Sequence, residues 1–98
     1  MEIFGHMKYT PYYTNRIGRQ LKLLKKRGYD MSLFKETVDM LLDGKTLQPR
    51  YNDHPLKGSR RGYRDCHILP NWVLIYKIDK CVLTLTLFET GAHSDILE

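Results

Sequence analysis

A chain of 98 residues suffices for one domain around a single core and leaves no room for a second, so residues 1–98 are treated as one unit. Apolar residues make up 42% of the chain and charged residues 28%, a globular composition that excludes a disordered protein. The formal net charge of +5 favours an anionic partner such as RNA, DNA, an acidic protein or a membrane surface.

Two patterns bear on the cellular location. No apolar run approaches the ~18 residues that span a bilayer, and the N-terminus lacks the basic stretch and long apolar core of a signal peptide. We therefore expect a cytoplasmic protein. Residues 1–6 precede a second methionine, and Gly5-His6-Met7 resembles a remnant of cloning, so we expect no functional role for these residues.

An amphipathic helix is predicted over residues 13–27. Its apolar residues recur at helical spacing, at Tyr13, Ile17, Leu21 and Leu24. The remaining positions carry five cations, Arg16, Arg19, Lys22, Lys25 and Lys26. The helix should end at Gly28, because cations suit the negative end of the helix dipole and glycine tolerates a left-handed cap. The outer face of this helix is therefore strongly basic.

The rest of the chain predicts a second helix followed by a sheet. The helix starts near Asp30 or Ser32 and stops at Asp43-Gly44, and residues 45–61 form a long connection with room for a short strand. Three runs rich in aromatic and β-branched residues follow, at 63–69, 72–78 and 81–88, and predict an antiparallel meander whose middle strand is buried on both faces. The fold class is α+β, with two N-terminal helices packed on a twisted antiparallel sheet.

Two cysteines, Cys66 and Cys81, stand 15 residues apart. They form no CxxC pair and lack the clustered Cys and His spacing of a structural zinc site. Because free cysteine is among the most often buried residue types, we expect both to be core thiols.

The candidates for chemistry are three histidines, His54, His67 and His93. A meander would allow them to converge at one end of the sheet, with Asp65 on the same strand face as His67. Cleavage of RNA without a metal needs a base, an acid and a cation, and histidine suits either proton role. The same histidines could instead be solvated polar residues or form a metal site, although they lack any short ligand spacing.

The most specific signal is a set of four linked motifs. They read Asp53-His54-Pro55-Leu56-Lys57-Gly58, Gly62-Tyr63-Arg64-Asp65-Cys66-His67, Pro70-Asn71-Trp72-Val73-Leu74-Ile75-Tyr76-Lys77 and Thr90-Gly91-Ala92-His93-Ser94-Asp95. In this order they resemble the YafQ branch of the RelE toxin superfamily. The resemblance runs from about Lys8 to the C-terminus and includes an opening strand at Lys8-Tyr9-Thr10.

The resemblance implies a toxin that cleaves messenger RNA in the ribosomal A site, with the 2′-hydroxyl of the RNA attacking the phosphate. It also implies a cognate antitoxin as partner, with no metal and no cofactor. Carried over by position, five residues match the family's catalytic set: His54, Asp65, His67, Trp72 and His93. Trp72 would pack beside the site or stack on a base. Four cations are candidates for binding RNA phosphates, namely Lys57, Arg60, Arg61 and Arg64.

Three positions depart from the family pattern. Asn71 stands where the family often has an acid, and an amide cannot act as a general base near neutral pH. Glu89 replaces an arginine, and Leu97 replaces a terminal phenylalanine. If that arginine stabilises the phosphorane, its loss would cost about 2.7 to 4 kcal/mol by analogy with an oxyanion donor.

The sequence also allows two other functions. Glu89 and Leu97 could mark a decayed active site in a module that acts through antitoxin binding and operon regulation. The two helices, joined by a short turn with a glycine, also allow a DNA-binding helix-turn-helix, although the second helix is not markedly basic. The basic first helix could itself be the docking surface for an acidic antitoxin segment.

Overall fold

A computed structural model describes residues 7–96, so the expectations for residues 1–6 and for Leu97 concern positions outside the described range. Its strands are β1 (Thr10–Tyr13), β2 (His54–Pro55), β3 (Arg64–Leu69), β4 (Trp72–Asp79) and β5 (Thr84–Ala92). Its helices are α1 (Asn15–Lys26), α2 (Met31–Leu42) and the short α3 (His93–Ile96). Two 3₁₀ turns, Pro49–Tyr51 and Gly58–Arg60, lie in the connection between α2 and β3. The predicted α+β class is confirmed.

The five strands form one sheet in the order β1-β5-β4-β3-β2. The pairs β2 with β3, β3 with β4 and β4 with β5 are antiparallel, which confirms the predicted meander. The strand β1 instead pairs in parallel with β5, with Thr10 opposite Thr84. The helix predicted from residue 13 therefore begins two residues later, because Tyr13 is the last residue of an edge strand.

Side-chain caps fix where the two long helices begin. The Thr14 hydroxyl accepts a hydrogen bond from the Ile17 amide at 3.1 Å and donates one to the Phe88 carbonyl at 2.7 Å. Asp30 caps α2 by accepting from the Ser32 amide at 2.9 Å. Satisfying the free amides of the first turn stabilises a helix by about 1 kcal/mol. The Thr14 cap also ties the start of α1 to the middle of β5.

Each face of the sheet carries its own apolar cluster. The face covered by α1 and α2 holds the main core, which includes Ile17, Phe34, Trp72, Tyr76 and Leu87. The opposite face, called here the open face, holds a smaller cluster of Val73, Ile75 and Ile96. Because β4 contributes to both clusters, its residues 72–76 are all buried, as predicted for the central strand.

The turn between β4 and β5 differs from the sequence expectation. The Asp79 carboxylate accepts hydrogen bonds from the Cys81 amide at 2.9 Å and the Val82 amide at 3.2 Å, which closes a turn where a strand was predicted. Leu83 follows with a φ of 50°, and β5 begins only at Thr84. Cys66 is buried as expected, but the expectation for Cys81 is wrong, since it lies exposed in this turn.

Within residues 7–96, each helix is too short or too polar to cross a lipid bilayer.

Candidate active site

A buried carboxylate lies at the centre of the open face. Asp65 is 1% exposed, and neither of its oxygens accepts a hydrogen bond from the described residues. Its neighbours on β3, Cys66 and Ile68, point into the core on the helix side, so strand alternation turns Asp65 and His67 to the open face. Burying a carboxylate without hydrogen bonds is costly, which is characteristic of functional positions.

The histidines converge on this carboxylate. His54 lies opposite Asp65 in the β2–β3 register, and its Nε2 is 3.4 Å from Asp65 Oδ2. The Nε2 of His67 lies 3.7 Å from the same oxygen. The ring of His93 approaches that of His67 with 5.6 Å between centroids. The sequence left convergence open, and these four side chains, the histidine cluster, are brought together by the sheet.

Hydrogen bonds to backbone carbonyls determine where the imidazole protons are. His54 Nδ1 lies 2.6 Å from the Asn52 carbonyl, and His67 Nδ1 lies 3.2 Å from the Pro70 carbonyl. A carbonyl can only accept, so each Nδ1 carries a proton, and each Nε2 that faces Asp65 is either a lone pair or a second N–H. Both rings are thereby held with Nε2 towards Asp65.

Burial is the largest influence on the Asp65 carboxyl and raises its pKa above the ordinary aspartate value. The neighbouring His67, His54 and His93 act in the opposite direction, because an imidazolium favours the ionised carboxylate. The net direction is upward. A carboxyl with a raised pKa beside three imidazoles is an arrangement suited to acid-base chemistry.

A second carboxylate, Asp53, anchors the segment that carries His54. Its Oδ1 accepts a hydrogen bond from the Tyr76 hydroxyl at 2.6 Å, and both its oxygens lie 3.3 Å from the Arg64 guanidinium. Tyr76 belongs to the helix-side core, so the Asp53 side chain lies on the helix side of the sheet. The next side chain, His54, lies on the open face against Asp65. The sequence did not predict that Asp53 and Tyr76 position this segment. Its only indication was that Asp53 directly precedes His54 in the first motif.

The match to known proteins is specific. Residues 9–98 match the family model described as "Bacterial toxin of type II toxin-antitoxin system, YafQ". The chain belongs to the YafQ family. It is therefore a toxin of a type II toxin-antitoxin system, and the sequence-based resemblance is confirmed.

Individual relatives agree with the family model. The mRNA interferase toxin YafQ of Escherichia coli is 39% identical over 83 residues, covering 84% of this chain and 88% of that protein. The crystal structure of the E. coli DinJ-YafQ toxin-antitoxin complex matches with a TM-score of 0.84 and 35% identity, covering 93% of this chain and 99% of that chain. A metal-bound toxin from Helicobacter pylori matches with a TM-score of 0.85 and 37% identity, covering 91% and 99% of the two chains. In this YafQ-family chain, residues 7–96 contain no group of three or more His, Cys, Asp or Glu side chains placed to hold a metal ion.

Trp72 is not part of the histidine cluster. It is 1% exposed, its indole N–H donates to the Thr90 hydroxyl at 3.0 Å, and its ring packs edge-on against Tyr29 with 5.1 Å between centroids. Both contacts lie in the helix-side core. In this YafQ-family chain, Trp72 therefore supports the start of β4. Its ring has no exposed face on which a base could stack.

The short helix α3 positions His93. The His93 amide donates to the Asn71 carbonyl at 3.2 Å, which joins the end of β5 to the turn before β4. Gly91 lies under Ile96, and a Cβ built on Gly91 would be 3.3 Å from two Ile96 side-chain carbons. The close approach of this YafQ-family helix to the sheet therefore depends on the missing side chain at residue 91. Asn71 contributes a backbone contact to the site.

The predicted phosphate-binding cations separate into two groups. Arg64 is held by Asp53 beside Tyr76, away from the histidine cluster. Lys57 and Arg61 flank the Gly58–Arg60 turn with exposed side chains, and Arg60 donates to the Ile96 carbonyl at 3.2 Å. Arg60 thus lies beside α3, while Arg64 faces a separate cavity of about 570 Å³ whose lining includes neither Asp65 nor a histidine.

Proposed function

We propose that this toxin is an endoribonuclease that cleaves messenger RNA by attack of the ribose 2′-hydroxyl on the adjacent phosphate. The observation that carries the proposal is the histidine cluster: three imidazoles gathered around a buried carboxylate on an open sheet face. The E. coli relative named an mRNA interferase toxin supports the same reaction class. Histidine transfers protons near neutral pH, and the reaction needs one proton removed and one delivered.

The geometry supports separate roles within the histidine cluster. His67 and His93 are adjacent rings, close enough to serve the attacking and leaving oxygens of one phosphate. Asp65 lies beneath them and is too buried to touch RNA, so it acts by orienting and charging the imidazoles. His54 is 43% exposed at its side chain and lies against the same Asp65 oxygen, so it can pass protons between the histidine cluster and solvent.

We further propose that cleavage occurs in the ribosomal A site, in the cytoplasm, and needs no metal ion. The chain carries net positive charge and an exposed basic α1, which suit a surface made of RNA phosphates. A cognate antitoxin is the second partner. The E. coli relative crystallised with DinJ supports this, and an acidic antitoxin segment would complement α1.

Primer extension in a purified translation system tests the central proposal. The parent protein and its His93→Ala variant are incubated with a defined mRNA, with and without ribosomes. We expect cuts that require both ribosomes and His93, with a loss of about 10² to 10⁴ in rate for the variant. Cuts retained by His93→Ala would remove His93 from the mechanism, and equal cutting of naked RNA would remove the ribosome requirement.

The metal-free reaction is tested by treating the toxin alone with a chelator. The toxin is dialysed free of chelator before ribosomes, which need magnesium, are added. We expect the cleavage rate of the treated toxin to equal that of the untreated one. A loss of rate that zinc or copper restores would show that the reaction uses a transition metal.

Glu89 favours a second candidate function. A carboxylate stands where the family usually places an arginine, which removes one positive charge near the open face. The alternative is a catalytically weakened module that acts through antitoxin binding and operon regulation. Unimpaired growth of cells that express the toxin without its antitoxin would favour this alternative, whereas growth arrest that requires His93 would exclude it.

A further inference from the structure

Glu89 is a second buried carboxylate on the open face. It is 5% exposed and lies opposite Ile75 in the β4–β5 register, while Asp65 lies opposite the same Ile75 from the other side. The Thr90 side chain is bonded in the helix-side core, so alternation turns Glu89 to the open face. No described residue donates a hydrogen bond to Glu89 Oε1. Burying an ionised carboxylate costs free energy, and nearby cations reduce that cost.

Two arginines from distant parts of the chain supply that charge. Arg16 Nη1, from the first turn of α1, lies 3.6 Å from Glu89 Oε1, and Arg60 Nη2 lies 3.9 Å from the same oxygen. Each guanidinium has a further anchor: Arg16 lies 5.6 Å from the centroid of the Phe88 ring, and Arg60 donates to the Ile96 carbonyl. Both arginines are therefore held in place around one buried anion.

The two arginines keep most of their hydrogen-bonding capacity. Their side chains are 54% and 37% exposed, and both lie beyond hydrogen-bond distance from Glu89. A guanidinium has five N–H donors in a planar fork that matches the oxygens of a phosphate. The trio of Arg16, Arg60 and Glu89 has a net charge of +1, the same charge that a single arginine at position 89 would carry.

We propose that Arg16 and Arg60, held together by Glu89, form a binding site for a backbone phosphate of the RNA. This proposal rests on the proposed function and names a contact for its substrate. Asp65 and Glu89 are separated by one strand, so their backbones lie about 10 Å apart. The site therefore takes a phosphate that flanks the cleaved one. Arg16 and Arg60 bind RNA, and Glu89 is a positioning residue.

The test separates binding from cleavage by using the His93→Ala background. Affinity for a labelled ten-nucleotide single-stranded RNA is measured by fluorescence anisotropy over a range of salt concentrations. We expect Arg16→Ala and Arg60→Ala each to weaken binding about five- to tenfold. Each should also reduce the slope of log K against log salt by roughly 0.7. Lys45→Ala is the control, because it removes one positive charge from an exposed side chain that lines the separate cavity near Arg64.

Substitutions at position 89 test the positioning role. We expect Glu89→Gln to weaken RNA binding, because the two arginines lose the anion that holds them in place. Net charge alone would predict the opposite, since the variant is more positive than the parent. The triple variant Glu89→Arg/Arg16→Ala/Arg60→Ala restores one cation to the open face and should recover affinity relative to Arg16→Ala/Arg60→Ala. In the cleaving protein, Arg16→Ala should raise KM with kcat little changed, because a flanking phosphate is bound equally in the ground and transition states.

Defined outcomes would overturn the proposal. Equal affinities for Arg16→Ala, Arg60→Ala and Lys45→Ala would do so, and so would tighter binding by Glu89→Gln. A parent that binds this RNA no better than Arg16→Ala/Arg60→Ala would also count against it. Failure of the proposed function is distinct, since it appears as cleavage that is absent or independent of His93 while the binding differences persist.

Discussion

Asp65 and Glu89 face the same side of the sheet from the two strands that flank β4, and both are buried carboxylates. The first is surrounded by imidazoles and the second by guanidiniums. The open face therefore presents imidazoles and fixed positive charge side by side. In the proposed function, the imidazoles transfer protons and the guanidiniums bind a phosphate of the RNA.

Asp65→Asn should lower activity and raise stability at neutral pH. Because burial raises the Asp65 pKa, the ionised carboxylate destabilises the folded state, and an amide removes that penalty. We expect an increase in the free energy of unfolding at pH 7 and a rate loss of about 10². Urea unfolding and primer extension measure the two effects.

The sign of the pH dependence provides a check on Asp65→Asn. A group with a raised folded pKa stabilises the fold at low pH, where it is protonated in both states, and this contribution is lost as pH rises through the folded pKa. The stability difference between Asp65→Asn and the parent should therefore be small below about pH 4 and grow towards neutrality. A difference that stays constant between pH 3 and pH 8 would contradict the assigned direction.

Tyr76→Phe should weaken the anchor behind His54. The Tyr76 hydroxyl donates to Asp53 at 2.6 Å, and its loss leaves Asp53 with Arg64 alone. A hydrogen bond to a charged group contributes about 1.5 to 3 kcal/mol. We expect a loss of this size in the urea unfolding free energy and a several-fold lower cleavage rate. Tyr63→Phe is the control, since the Tyr63 ring packs on Phe88 and its hydroxyl has no hydrogen bond within residues 7–96; equal losses in the two variants would contradict the prediction.

Gly91→Ala should disturb His93 more than it disturbs the fold. The added methyl group would meet Ile96 at 3.3 Å, so Ile96 must give way by a few tenths of an ångström, and we expect α3, whose first residue is His93, to move with it. We expect a several-fold fall in kcat with a thermal midpoint close to that of the parent. The effect of Gly91→Ala should be smaller in an Ile96→Ala background, because the contact is then absent. An unchanged effect there would disprove steric transmission.

Charge reversal on α1 should slow association with the cognate antitoxin. Lys22 and Lys26 are exposed, and an acidic partner would be steered towards them. Lys22→Glu/Lys26→Glu should lower the association rate at low salt by about tenfold, and the difference should shrink as salt screens the charges. Stopped-flow mixing measures the rate. Lys45→Glu/Lys80→Glu makes the same change in net charge elsewhere, and equal slowing in both variants would argue against α1 as the docking surface.

The amino-acid sequence by itself determined the local features of this protein. Periodicity placed both long helices, and the expected caps and stops fall within one or two residues of the observed ends. The alternation and composition of residues 63–78 fixed two strands and put Asp65 and His67 on one face. These features follow from neighbours within a few residues, where backbone preferences and side-chain spacing carry most of the free energy.

Only the tertiary structure decided which distant groups meet. It placed β1 in parallel beside β5, turned Arg64 away from the cluster, buried Trp72 in the helix-side core and left Cys81 in an exposed turn. It also brought Arg16 and Arg60 to Glu89, which the sequence showed only as a charge reversal relative to the family pattern. Such contacts depend on strand register and helix packing across the whole chain. No local pattern encodes them, because each is determined by the combined packing of elements far apart in sequence.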